Sequence, residues 1–301
     1  MHTRTAVITG AAGGLGRELA RQLLGAGFEV IAVTRDPRSA EAVQQSLKAA
    51  APGRTVRALH ADLVDRADVG TLASRLRDVA GRVDVLINNA GAAFASYAET
   101  TDGVERAHAL NHLAPFQLTH LLLADGLLAP DARVINISTD LIGRGRLDSA
   151  DPDVTGVSWR DHYSQMTVYG TAKLASLLAT TELAARMPVG ITAYSATPGV
   201  IRSSFHTKAG GMLKLASSVG GLFAQTPEKA ARTPMLIASA AKAPAPNGGF
   251  FAKGAAATPP RTAQDRALAA RVYERTASIL ALTALPTAAG HAATFTNREA
   301  S

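Results

Sequence analysis

Thr5-Ala6-Val7-Ile8-Thr9 runs straight into Gly10-Ala11-Ala12-Gly13-Gly14-Leu15-Gly16, a short apolar segment followed by a glycine-rich turn that opens a helical pattern over 14–26. Strand, turn and helix in that order give the glycines a purpose. Without a β-carbon the backbone can approach a pyrophosphate closely, and the amides and dipole at a helix N-terminus favour its negative charge. Gly10, Gly14, Leu15 and Gly16 are therefore candidate dinucleotide contacts. A plain tight turn between strand and helix would use the same residues, so the surrounding chain has to decide.

Outward from this turn, further strands are expected near 28–34, 55–59, 83–88, 132–138, 189–196 and 249–252. Between them lie helical stretches near 38–50, 65–80, 102–128, 165–186, 226–241 and 262–283. Such alternation implies right-handed crossovers and a parallel sheet covered by helices on both faces. The expected fold class is α/β, a single doubly wound Rossmann-type domain over 1–285 with a parallel sheet of about seven strands. Residues 140–164 and 200–225 break the rhythm. Both follow strand C-termini, the edge where open α/β sheets bind ligands, so both are candidate substrate walls. Residues 286–301 carry no periodicity and are expected to form a flexible tail.

Composition narrows the function classes. A chain of 301 residues with 47% hydrophobic content can bury about three quarters of its unfolded surface. No stretch approaches the ~20 apolar residues of a membrane span, and from the opening residues no secretory leader is expected. Without cysteine there is no disulfide framework and no thiolate metal site. A cytoplasmic address is expected, with no membrane partner. The net charge of +7 comes from 31 basic residues scattered among 24 acids, and aromatics make up 5%. That pattern lacks the stacking platforms of a nucleic-acid binder and reads as an Arg-rich solvated surface. His108, His112, His120, His162 and His206 show no metal-ligand spacing among acids, so no metal is assigned.

At the end of the second expected strand, Thr34 occupies the tip and Arg35 follows. An acid at the tip would accept from a ribose 2′-hydroxyl, whereas an arginine pairs with a 2′-phosphate through a planar fork, so NADP(H) is expected ahead of NAD(H). Asp36 is the counter-argument: it either caps the next helix, the preferred reading, or reaches the ribose. Asp62-Leu63 after the third strand is either an adenine contact or a helix cap. Asn88-Asn89-Ala90-Gly91 ends the fourth strand, so that Asn89, Ala90 and Gly91 pass beneath the adenosine ribose while the amides brace neighbouring strands. Further on stand Tyr169 and Lys173, four apart in a helical pattern. That spacing puts an ammonium beside a phenol and favours the phenol's ionised form.

With these motifs, Asn111 and Pro198-Gly199 in this order, the chain resembles the short-chain dehydrogenase/reductase family over about residues 5–285. Tyr169-Gly170-Thr171-Ala172-Lys173-Leu174-Ala175 and Thr197-Pro198-Gly199-Val200-Ile201-Arg202-Ser203 are similar to its retinol-dehydrogenase-like members. The resemblance implies that Tyr169 is the general acid in carbonyl reduction, helped by Lys173, which also holds the nicotinamide ribose. It implies that Asn111 anchors a proton-relay water, that Pro198 and Gly199 turn beneath the nicotinamide, and that Ile201 and Ser203 meet its carboxamide and the pyrophosphate. The family's carbonyl-polarising serine falls on Thr139 here, with Ser138 as substitute. A threonine hydroxyl still donates to an oxyanion, although its methyl crowds the pocket.

Phe205, Met212, Leu213, Leu215, Leu222 and Phe223, with Leu141 and Trp159 opposite, suggest a pocket for a hydrophobic ketone, aldehyde or secondary alcohol. A homodimer or homotetramer is implied by the family. Two other classes compete with the oxidoreductase. One is a non-catalytic NADP-binding redox sensor, which the Tyr/Lys pair argues against. The other is an epimerase or dehydratase of the extended branch, whose turn spacing Gly10, Gly13 and Gly16 also satisfy.

Overall fold

A computed structural model describes residues 3–199 and 225–286. The chain alternates as expected through β1 (Thr5–Thr9), α1 (Gly14–Gly25), β2 (Glu29–Thr34), α2 (Pro37–Ala50), β3 (Val56–His60), α3 (Arg66–Val79) and β4 (Val83–Asn88). It continues through α4 (Arg106–His108), a π turn (Ala109–Leu113), α5 (Ala114–Ala124), β5 (Leu128–Ile137), α6 (Gln165–Arg186) and β6 (Thr192–Thr197). Beyond 225 come α7 (Pro227–Ala230), α8 (Arg232–Ser239), β7 (Phe250–Ala252), β8 (Ala255–Ala257) and α9 (Arg266–Ile279). The eight strands form one sheet in the order β3-β2-β1-β4-β5-β6-β7-β8. All pairs are parallel except β7 with β8. This is the doubly wound α/β class, with strand order reversing between β1 and β4.

Strand alternation divides the core in two. Ala6 and Ile8 of β1 face a cluster built with Leu19 and Leu23 of α1, Leu47 of α2 and Ile237 of α8. Val7, between them, faces the other cluster, with Leu72 of α3, Leu118 of α5, Leu178 of α6 and Val272 of α9. Because both faces are covered, β1 and β4 are buried from end to end, the pattern of near-continuous apolar strands in parallel sheets.

Three expected elements need correction. The helix expected over 102–128 is broken into α4, the π turn and α5, and β5 already begins at Leu128. Gly103 with φ +76 and Gly126 with φ +63 mark turns at either end. Pro115 at the start of α5 has no amide to give to the α ladder, which suits the wider turn just before it. The stretch 226–241 is two short helices rather than one. In 262–283, α9 starts only at Arg266, where Asp265 caps it by accepting from the Leu268 amide at 2.9 Å. The eighth strand carries no apolar alternation. It forms because Lys253 (φ 53) and Gly254 (φ 81) make a two-residue hairpin turn that sets Ala252 opposite Ala255.

Candidate active site

Where strand order reverses, the ends of β1 and β4 are tied together. The Thr9 hydroxyl accepts from the amides of Asn89 and Ala90, both at 3.0 Å, and the Asn89 side-chain amide donates to the carbonyls of Thr9 at 2.8 Å and Gly10 at 3.2 Å. Asn88 reaches the Asn136 side chain at 2.8 Å, bracing β4 on β5. Close approach explains the glycines. Gly10 holds φ +68, and a Cβ there would lie 2.8 Å from the Ala90 Cα, while one on Gly16 would fall on the Gly10 carbonyl oxygen. Gly13 precedes α1 without a side-chain cap, and no acid stands in the first turn. The amides of Gly14, Leu15 and Gly16 precede the helix's own hydrogen-bond ladder and could serve as an anion cradle for a dinucleotide pyrophosphate.

At the β2 tip, Asp36 caps α2 as expected, accepting from the Ser39 amide at 2.9 Å and hydroxyl at 2.8 Å, and these bonds hold its carboxyl below the usual range. Arg35 beside it is exposed. The cap of α3 is Asp65, which accepts from Ala67 at 2.8 Å, so the cap reading of Asp62 falls to its neighbour. Asp62 is exposed and accepts from the Val64 amide at 3.2 Å, while Leu63 is buried.

Tyr169 and Lys173 sit on consecutive turns of α6, 7% and 4% exposed. Burial raises the phenol above its ordinary value, and a hydrogen bond with the Thr139 side chain works against that rise. Lys173 Nζ donates to the Ile137 carbonyl at 2.7 Å, and burial lowers its pKa to about 8, so it remains mostly a cation at neutral pH. Of the two hydroxyls at the end of β5, Thr139 meets Tyr169. Ser138 instead buries its Oγ, which has no partner among the described residues. Asn111 lies in the π turn and donates to the carbonyls of Ala92 and Ala107, both at 2.8 Å, which leaves its buried Oδ1 without a partner among the described residues. A Cβ on Gly91 would come within 2.7 Å of that oxygen and 3.4 Å of Lys173 Nζ. Asn111, Lys173 and the loop after β4 thus share one small space.

Two further glycines assemble the site. A Cβ on Gly145 would lie 2.8 Å from the Gly170 carbonyl, and one on Gly170 would lie 3.2 Å from the Gly145 amide. Their contact lets the 3₁₀ turn Asp140–Arg144 rest on α6 directly beyond Tyr169, which carries Thr139 to the phenol. A glycine inside an α-helix costs about 1 kcal/mol relative to alanine. That cost was the available signal for Gly170. Gly199 holds φ +72 after Pro198, and its amide donates to Thr197 Oγ1 at 3.3 Å. Ile201 and Ser203 lie outside the described residues, as do Phe205, Met212, Leu213, Leu215, Leu222, Phe223 and His206. Leu141 packs beside Tyr169, whereas Trp159 stacks at a tilt on His162.

No group of potential metal ligands occurs among the described residues. His108 pairs with Glu105 at 3.0 Å and His112 with Thr276 at 2.8 Å, and burial pushes His112 down to about 3. Also among the described residues, no helix is long and apolar enough to cross a membrane.

An anion cradle at the reversal point of a doubly wound sheet, with phenol, ammonium and hydroxyl beside it, defines a nicotinamide-dinucleotide oxidoreductase site. The short chain dehydrogenase family model matches residues 4–146. Human retinol dehydrogenase 13 is 30% identical over 93% of this chain and 86% of its own length. A protein of Streptomyces sp. (strain C5), named as a daunorubicin C-13 ketoreductase, is 34% identical over 93% and 94%. Among solved structures, an uncharacterised protein from Mycobacterium paratuberculosis superposes with TM-score 0.72 at 31% identity, covering 94% of this chain and 95% of that one. A blue fluorescent protein from a metagenomic library, in complex with NADPH, superposes with TM-score 0.63 at 27% identity, covering 83% and 95%. The chain belongs to the short-chain dehydrogenase family, in its retinol-dehydrogenase-like branch, and is an oxidoreductase.

Proposed function

We propose that this enzyme is NADP(H)-dependent and interconverts a ketone or aldehyde with the corresponding alcohol, with Tyr169 as general acid/base. The observation that carries the reading is the convergence of the Thr139 side chain on the Tyr169 phenol, with Lys173 one turn further along the same helix. NADPH, when bound, supplies the hydride. The Gly10–Gly16 turn would hold its pyrophosphate, Asn89, Ala90 and Gly91 would line its adenosine side, and Pro198 and Gly199 would lie beneath the nicotinamide. Arg35 would pair with the 2′-phosphate, a choice supported by the NADPH complex of the 27% identical metagenomic protein.

Thr139 and Tyr169 would both donate to the substrate carbonyl oxygen, polarising it and fixing its position. Burial keeps the phenol protonated at neutral pH, so Tyr169 has a proton to give as negative charge develops on that oxygen. The buried Lys173 cation stabilises the phenolate left behind, and the Asn111 carbonyl oxygen is available to a water that returns the proton. A homodimer or homotetramer, at a cytoplasmic address, belongs to the same proposal, and light scattering on the purified protein reads its assembly.

Tyr169→Phe removes the proton donor and leaves the ring. NADPH oxidation with a carbonyl panel is expected to fall by about 10²–10⁴-fold, with NADPH affinity retained. Unchanged turnover in this variant would remove the mechanism.

A further inference from the structure

Tyr169 forms a small apolar cluster with Ala93, against which the half-buried side chains of Leu141 and Met166 pack. Each comes from a different element. Ala93 follows β4, Leu141 stands two residues beyond Thr139, and Met166 lies in the first turn of α6, three residues before Tyr169 and so on the same helix face. Half-buried apolar side chains beside the buried Tyr169 and the half-buried Thr139 form a surface that an apolar ligand group would cover.

The wall that presents this surface is pinned to itself. The Tyr163 hydroxyl donates to the Phe94 carbonyl at 2.8 Å, and the Glu105 amide donates to the Thr155 carbonyl at 2.9 Å. Arg160 pairs with Glu99, and the rings of Tyr97 and Tyr163 meet edge-on at 6.2 Å. Asp153 gathers the amides of Thr155 at 2.8 Å and of Gly156 and Ser158 at 2.9 Å. Beneath them the His108 ring, held by Glu105, occupies the space a Cβ on Gly156 would need. Segments 92–105 and 153–165 are therefore cross-linked. A wall packed this way resists widening for a larger ligand.

We propose that Met166, with Leu141, is the specificity-determining seat for the apolar group next to the reacting carbonyl, so that the volume at Met166 sets the largest unbranched chain accepted. The assignment rests on the carbonyl-oxidoreductase reading above and adds the residue that selects the substrate by size. Adding or removing about one methylene of pocket space changes kcat/KM by about 10–200-fold.

The test measures kcat/KM with NADPH over unbranched aldehydes from butanal to decanal for the wild type, Met166→Ala, Met166→Phe and the volume-conserving Met166→Leu. Met166→Ala is expected to raise the decanal-to-butanal ratio by at least about tenfold and Met166→Phe to lower it by as much, with Met166→Leu near the wild type. Ratios unchanged in both the alanine and phenylalanine variants overturn the assignment.

A second measurement needs no turnover. In protein labelled at its methionine methyls and saturated with NADPH, the Met166 resonance, assigned by its loss in Met166→Leu, is expected to shift on adding decanol. A resonance that stays in place overturns the proposal. A shift in a protein that reduces no aldehyde supports Met166 as a ligand contact and refutes the carbonyl reading instead.

Discussion

Lys173 makes the burial of the site measurable. Its side chain is 4% exposed, and burial lowers its pKa from 10.5 to about 8. Between those values the unfolded chain still holds a proton that the folded chain has released, so stability rises with pH through this window. Integrated from pH about 7.5 to pH about 10, the gain is about 2 kcal/mol. Lys173→Met removes the titrating group and keeps most of the stem, so other groups cancel when variant and wild type are compared. Urea denaturation without cofactor should find the wild type gaining about 2 kcal/mol on the variant across that interval. A difference flat to within about 0.5 kcal/mol would refute the reasoning, because a lysine that folding leaves hydrated has no such linkage.

Thr139→Ala should lower kcat by about 10²–10³-fold, the usual cost of one oxyanion donor, with Thr139→Ser retaining most activity. Ser138→Ala should leave kcat nearly unchanged, and equal losses in steady-state assays would contradict the assignment. Gly16→Ala places a methyl on the Gly10 carbonyl and 2.7 Å from Asn89 Nδ2. It should weaken NADPH at least about tenfold, or about 1.4 kcal/mol, by fluorescence titration, whereas Gly25→Ala, which meets nothing within 4 Å, should not. Arg35→Ala should raise the NADPH Kd about tenfold or more and leave NADH nearly unaffected. Equal effects on both would show that the guanidinium does not read the 2′-phosphate.

The sequence by itself determined the alternation of strands and helices, the glycine turn, the cap at Asp36 and the shared helix face of Tyr169 and Lys173. All of these are written in residues a few positions apart, where backbone preference and periodicity act. It reached less far wherever a choice depended on distant chain. Thr139 and Ser138 are adjacent at a strand end and point to opposite sides. Only the seating of α6 against the Asp140–Arg144 turn, through Gly145 and Gly170, decides which of them meets the phenol.

Within the broken 102–128 stretch, the π turn carries Asn111, whose side chain donates to the Ala92 carbonyl, a contact that no helical period encodes. The exposed alanines of β8 are a strand solely because a hairpin brings them to β7. Tertiary structure also turned Lys173 toward the Ile137 carbonyl and buried the phenol, so the pKa directions at the site come from desolvation rather than from spacing alone. Burial is a property of everything packed around a residue, and a local stretch of sequence does not contain it.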